Sequence, residues 1–170
     1  MGYLTIEFPE FQMDPAPEPP AASPQRFELG RHGEQLAAAY LQQAGYCLVA
    51  SNFTVPVGRN RNEATINVEI DLIAYDGPTL CFVEVKTRAS DWFAAPAANV
   101  DLRKQRQITR AARAYRRIFG LAGQPYRYDV LSIVLPSAED RSSFPQFDLR
   151  RNFWSEAKFR KRYWPERYWD

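Results

Sequence analysis

Val68-Glu69-Ile70-Asp71-Leu72-Ile73-Ala74, followed through Asp76-Gly77-Pro78 by Cys81-Phe82-Val83-Glu84-Val85-Lys86-Thr87-Arg88, is the stretch on which the fold turns. Both halves carry the period of two that a strand imposes, and the turn residues between them make antiparallel neighbours. The spacing predicts strands over Ile66–Tyr75 and Leu80–Arg88. In the first, Val68, Ile70, Leu72 and Ala74 share one face, and Glu69 and Asp71 share the other with Ile73. In the second, Phe82, Glu84 and Lys86 lie opposite Cys81, Val83 and Val85. A tight turn between the strands lets Asp71 and Glu84 approach each other.

Upstream, Leu29, Leu36, Ala37, Tyr40, Leu41 and Ala44 recur at helical steps and predict a helix over Phe27–Ala44, stopped by Gly45. Tyr46–Thr54 reads as a strand, and Val55–Thr65, with Pro56, Gly58 and a polar run, as a loop or hairpin excursion. Downstream, a loop over Ala89–Ala97 precedes a helix from about Ala98 to Phe119 with the apolar stripe Ile108, Ala111, Ala112, Tyr115, Ile118 and Phe119. A strand over Arg127–Leu135 ends at Pro136, and a short strand is expected around Phe147–Leu149. Helix, three strands, helix, strand is an order that favours a mixed α/β sheet with helices packed on it. Six prolines in residues 1–25 make that stretch an extended or disordered acidic leader. The core is expected over 26–136, with a loop and an arginine- and aromatic-rich tail over 137–170.

Of the 170 residues, 45% are hydrophobic and 25% charged, the balance of a soluble globular protein. No apolar run reaches the roughly 18 to 20 residues that cross a bilayer, and the N-terminus has no secretory pattern, so a cytoplasmic protein without a membrane partner is expected. Cys47 and Cys81 form no CxxC pair, and His32 is the single histidine, reading as a solvated first-turn residue. A zinc site of the Cys/His kind therefore lacks ligands.

The acidic residues are the sharpest chemical signal. Glu34 shares a helix face with Ala37, Ala38 and Leu41, where a carboxylate must be paired or bound to a cation; a first-turn acid complementing the helix dipole is the alternative. Glu69 and Asp71 repel on one strand face unless a cation or base separates them, or unless the face is simply solvated. The Glu84-x-Lys86 pair alone is an ordinary cross-face ion pair. Combined, Glu34, Asp71 and Glu84 offer oxygen ligands from separate elements, which suits Mg²⁺ or Mn²⁺, and Lys86 offers a charge beside them. Glu69 is a supporting candidate. Such a set fits hydrolysis of a phosphodiester.

Arg103, Arg106, Arg110, Arg113 and Arg117 step by three and four along the second helix, with Lys104 and Arg116 nearby and no acid between Arg103 and Arg117. The stripe is an expected phosphate contact, with a solvated outer face as the alternative. Gln105 lies near it without a motif. The tail from Lys158 interleaves cations and rings, which either stack on unpaired bases or fold back on the domain.

The succession of a helix glutamate, a strand aspartate and E-x-K on the next strand resembles the PD-(D/E)xK nuclease superfamily, especially archaeal Holliday-junction resolvases. More narrowly, Gly33-Glu34, Ala37, Tyr40-Leu41, Gly45-Tyr46, Asn52, Glu69–Ala74 and Phe82–Arg88 resemble a YraN-like bacterial family. Lys104, Ile108, Ala111-Ala112, Tyr115 and Asp129-Val130 continue the likeness, which spans roughly residues 28–135. It departs where Val68 stands for the family's usual glycine, after an enlarged Val55–Thr65 loop. The resemblance implies a restriction-endonuclease-like core, metal ligands at Glu34, Asp71 and Glu84 with Lys86 beside them, and, by analogy with resolvases, a homodimer. The expected function is Mg²⁺- or Mn²⁺-dependent hydrolysis of DNA, branched or structured, in preference to RNA. Two alternatives stand beside it: a non-catalytic nucleic-acid-binding module on the same fold, and an adaptor docking through its acidic leader.

Overall fold

A computed structural model of the chain describes residues 24–59, 61–89, 100–136 and 144–159. The proline-rich leader, most of the loop after the E-x-K strand and the aromatic tail beyond residue 159 lie outside the described residues. In chain order the elements are α1 (Pro24–Gln43), β1 (Cys47–Arg59), β2 (Thr65–Asp76), β3 (Thr79–Ala89), α2 (Leu102–Ile118), β4 (Tyr126–Leu135) and β5 (Gln146–Trp154), followed by a single 3-10 turn over Glu156–Phe159.

The five strands lie in sequence order in one sheet. β1, β2 and β3 form an antiparallel meander, α2 carries the chain across so that β4 runs parallel to β3, and β5 returns antiparallel to β4. α2 covers one face, its Ile108, Ala111, Ala112 and Tyr115 packing on Ile70, Ile73, Phe82 and Tyr128. The core on the other face joins Ala37 and Leu41 of α1 to Leu72, Ala74, Cys81, Val83, Leu131 and Ile133. Helices on both faces of a mixed sheet give the α/β architecture that the sequence predicts, consistent with a restriction-endonuclease-like fold.

Helix limits follow the local chemistry. Gly45, at φ +88, ends α1 in a left-handed cap, with Tyr46 N donating to Leu41 O at 2.9 Å. Asp101 caps α2 by accepting from Lys104 N at 2.7 Å, so this helix starts later than the expected Ala98. Two expectations need correction. Of the two readings of Val55–Thr65 the hairpin holds and the loop does not: β1 continues to Arg59, passing Pro56 by a bulge between Pro56 and Gly58, and pairs back with β2 from Thr65. The expected short strand at Phe147–Leu149 is nine residues long, and Tyr40 of α1 stacks on its Phe147 at 4.6 Å.

The strict alternation expected for β2 also breaks. Val68 and Ile70 pack in the α2 core together with Ile73, whereas Leu72 and Ala74 pack in the α1 core. The strand therefore changes face at Asp71. Its neighbour β1 does the same opposite it, where Asn52 takes a left-handed φ of +53 between Ser51, paired with Leu72, and Phe53, paired with Ile70.

α1 approaches β3 closely at Gly33, where a Cβ would overlap the Thr87 side chain. Gly33→Ala is expected to destabilise the protein by about 1–3 kcal/mol through overpacking, and Thr87→Ala in the same chain to recover part of the loss. Urea unfolding of the two single variants and the double variant measures the coupling.

Candidate acidic site

β2 and β3 are paired from Asp76↔Thr79 to Leu72↔Val83. The ladder stops there. Asp71 and Glu84 are next in register, and the backbone N–H of Val85 goes to Asp71 Oδ2 at 2.7 Å instead of to a β2 carbonyl. A side-chain carboxylate thus occupies the fork where the two strands part, and satisfies a backbone donor that the broken ladder would otherwise leave unmet.

Glu84 is 2% exposed. Its Oε1 pairs with Lys86 Nζ at 2.7 Å, and its Oε2 lies 3.2 Å from Lys104 Nζ. That second contact is an ion pair without hydrogen-bond alignment, leaving a fully buried oxygen with acceptor capacity unused. Each lysine side chain is about one-third exposed, so both ammonium groups reach water while compensating a buried carboxylate. Burial, with Glu84 as the next cause, pushes Asp71 up to about 7, against the pull of Lys104, the Val85 N–H and Lys86. For Lys104, burial opposes the charge, but Glu84 and Asp71 outweigh it and hold the amine above its ordinary range.

Glu34 comes to the site from the α1 side. Asn52 Nδ2 donates to Glu34 Oε2 at 2.7 Å and to Glu69 Oε1 at 2.9 Å, one amide tying two carboxylates. The change of face at Asp71 explains how Glu69 reaches Glu34. Glu34 and Lys86 also line a common cleft of about 350 Å³ with Leu29, Gly30, Val85 and Thr87. The site residues named from sequence thus form two neighbouring sets, Asp71–Glu84–Lys86 and Glu34–Glu69. Among the described residues, no three His, Cys, Asp or Glu side chains are grouped so as to hold a metal ion.

Asn52 and Lys104 are the residues whose place here the sequence reasoning missed. The sequence groups Lys104 with the basic stripe, yet Ile108, Ala111, Ala112 and Tyr115 follow it at helical steps, and a lone lysine on an apolar stripe is a readable signal. Of the stripe itself, Arg103 is exposed, Arg106 lies 5.7 Å from the ring centre of Phe159, Arg110 donates to Val57 O at 2.6 Å, and Arg113 pairs with Glu156 at 2.7 Å. Gln105 is buried and donates to Val100 O. His32 is exposed in mid-helix.

The weakened acidity of Asp71 has a definite sign. Its carboxyl keeps a proton more tightly in the folded chain than in the unfolded one, so its contribution to stability is full below about pH 4 and is lost as pH rises to about 7. Asp71→Asn should therefore melt at a higher temperature than the wild type above pH 7, with the gap closing towards pH 4, as read by thermal denaturation across that range. At Asn52, Ala loses the bridge and strains the left-handed backbone, whereas Gly loses the bridge alone. Chemical denaturation should rank the variants wild type, Asn52→Gly, Asn52→Ala, with about 1 kcal/mol between the last two.

The model of the uncharacterised protein family UPF0102 matches residues 33–133, which include every residue of this site. A UPF0102 protein of Chlorobium chlorochromatii is 43% identical over 133 residues, covering 76% of this chain and 93% of the relative. Another from Desulfosudis oleivorans is 42% identical over 109 residues, covering 64% and 80% respectively. A third, from Chlorobium limicola, is 40% identical over 132 residues, covering 76% and 94%. The chain belongs to the UPF0102, or YraN-like, family.

Proposed function

We propose that the protein is a divalent-metal-dependent nuclease of the PD-(D/E)xK type that hydrolyses phosphodiester bonds in DNA. One observation carries the reading: Asp71 and Glu84 face each other in an open strand fork, with a buried Glu84 oxygen that no hydrogen bond satisfies and two lysines beside it. A fold gains no stability from such an arrangement that apolar residues would not supply more cheaply. The order Glu34, Asp71, Glu84-x-Lys86 along the chain agrees with it.

The donor set fits Mg²⁺ or Mn²⁺, because Mg²⁺ keeps several waters and needs only one or two protein carboxylates. Asp71 and Glu84 would hold the ion, and Glu34, across the cleft, would complete or support the site. When bound, the ion supplies charge neutralisation at the phosphate and a more acidic water. Lys86, whose Nζ is held by Glu84 Oε1 at 2.7 Å, would orient the attacking water and stabilise charge developing at phosphorus. Lys104, whose Nζ lies 3.2 Å from Glu84 Oε2, would present its ammonium to the same charge. Asn52 fixes Glu34 against Glu69 and keeps the α1 side of the cleft in place. The exposed arginines of α2 attract the DNA backbone.

A second reading is a DNA-binding module without catalysis, and the lack of a three-ligand group among the described residues favours it. Calorimetric titration with Mn²⁺ and Mg²⁺, with and without DNA, separates the two. The nuclease reading expects binding by the wild type that vanishes in Asp71→Ala/Glu84→Ala, and cleavage that falls about 10²–10⁴-fold in Lys86→Ala with the fold retained. Intact cleavage by Asp71→Ala, or no cation binding even with DNA present, sinks it.

A further inference from the structure

The arginines of α2 are not equivalent. Arg106 lies near an aromatic ring, but Arg110, Arg113 and Arg117 line a groove of about 480 Å³ whose other wall is Pro56, Val57 and Gly58 of β1. Two of these guanidinium groups are fixed in place, Arg110 by the Val57 carbonyl and Arg113 by Glu156. Each keeps unused donors, since guanidinium carries five N–H groups and these contacts take only one or two. Arg113, with burial opposing, is held further towards its charged form by Glu156. Arg117 is exposed at the same groove. No carboxylate is among the residues that line the groove; Glu156 compensates Arg113 from outside that lining, which leaves Arg110 and Arg117 as the groove's net positive charge opposite a neutral wall.

We propose that this groove seats one backbone phosphate of a DNA duplex, and so fixes where along the duplex the acidic site falls. The ligand class rests on the nucleic-acid reading above; the location rests on the groove alone. Fixed, multi-donor guanidinium groups suit phosphate better than a mobile lysine does, because less side-chain freedom is lost on binding. Arg110, Arg113 and Arg117 follow Lys104 along one helix by six, nine and thirteen residues, about 9 to 20 Å at ~1.5 Å per residue. Duplex DNA advances ~3.4 Å per nucleotide of a strand, so for a duplex lying along α2 the seated phosphate falls roughly three to six base pairs from Asp71 and Glu84.

The experiment is fluorescence anisotropy of labelled duplex DNA with the full chain in EDTA, where no cleavage intervenes, over a range of salt. Arg117→Gln should bind about 10-fold more weakly than the wild type, with a salt slope shallower by about one counterion. Arg110→Gln should behave alike, while Arg150→Gln on β5, outside the groove, should leave both unchanged. Wild-type affinity and slope in Arg117→Gln, or a wild type that binds no duplex, overturns the proposal. Because Arg110 also anchors β1, Arg117→Gln decides the outcome should Arg110→Gln unfold. Arginine dependence without cation binding in calorimetry keeps the groove and removes the nuclease; cation binding without arginine dependence does the reverse.

Discussion

Parting β2 from β3 at Asp71 and Glu84 is the constraint around which the remaining structure is arranged. A sheet that stopped pairing in its middle would leave buried donors unmet, and an unsatisfied group of that kind costs about 1–3 kcal/mol. Asp71 takes up the Val85 N–H, and its carboxyl, now shielded from water and beside Glu84, holds its proton up to about pH 7. Glu84, one residue earlier on β3, is buried by the same geometry and draws Lys86 and Lys104 to it. The chain thus concentrates two acids and two lysines where β2 and β3 part.

Both helices are needed to complete this arrangement, and they arrive from opposite faces. α2 delivers Lys104 at its first turn, set by the Asp101 cap. α1 delivers Glu34, and can do so only because Gly33 lets the helix come against Thr87. In register with Val83, the last rung before the fork, the fully buried Asp129 of β4 compensates a different irregularity. It pairs with Arg127 and accepts from Asn152 N at 2.8 Å, where β5 bulges away from β4. Arg127 also binds Asp76 and the Tyr46 hydroxyl, tying the turn end of the β2–β3 hairpin to β4. This second polar network secures the scaffold, so a charged residue in the core is not by itself a sign of chemistry.

What the sequence made legible follows from period and turn chemistry. The β2–β3 hairpin, the E-x-K face and both helices are written in short-range patterns, and they bring Asp71, Glu84 and Lys86 together as expected. Glu34 and Glu69 were legible as residues, but their meeting through Asn52 was not, because it depends on β1 and β2 changing face together opposite one another. No alternation rule anticipates that break; an asparagine that tolerates φ > 0 is its sole trace. The full length of β1 is hidden because Pro56 and Gly58 are turn residues in most settings, and it is the bulge that lets a strand keep them. Lys104 was legible but misassigned, since seven cations along one helix invite being read as a single surface.

The bulges have a consequence for how copies of this chain meet. Among the described residues, strand order leaves β1 and β5 as the two lateral margins of the sheet. β1 carries a proline and two breaks in register, and β5 carries a break and the charged pair Arg150 and Arg151. A margin so kinked and charged is a poor template for another strand, which guards against runaway edge-to-edge aggregation. Among the described residues, neither margin offers the flat, regular edge on which a second copy could extend the sheet.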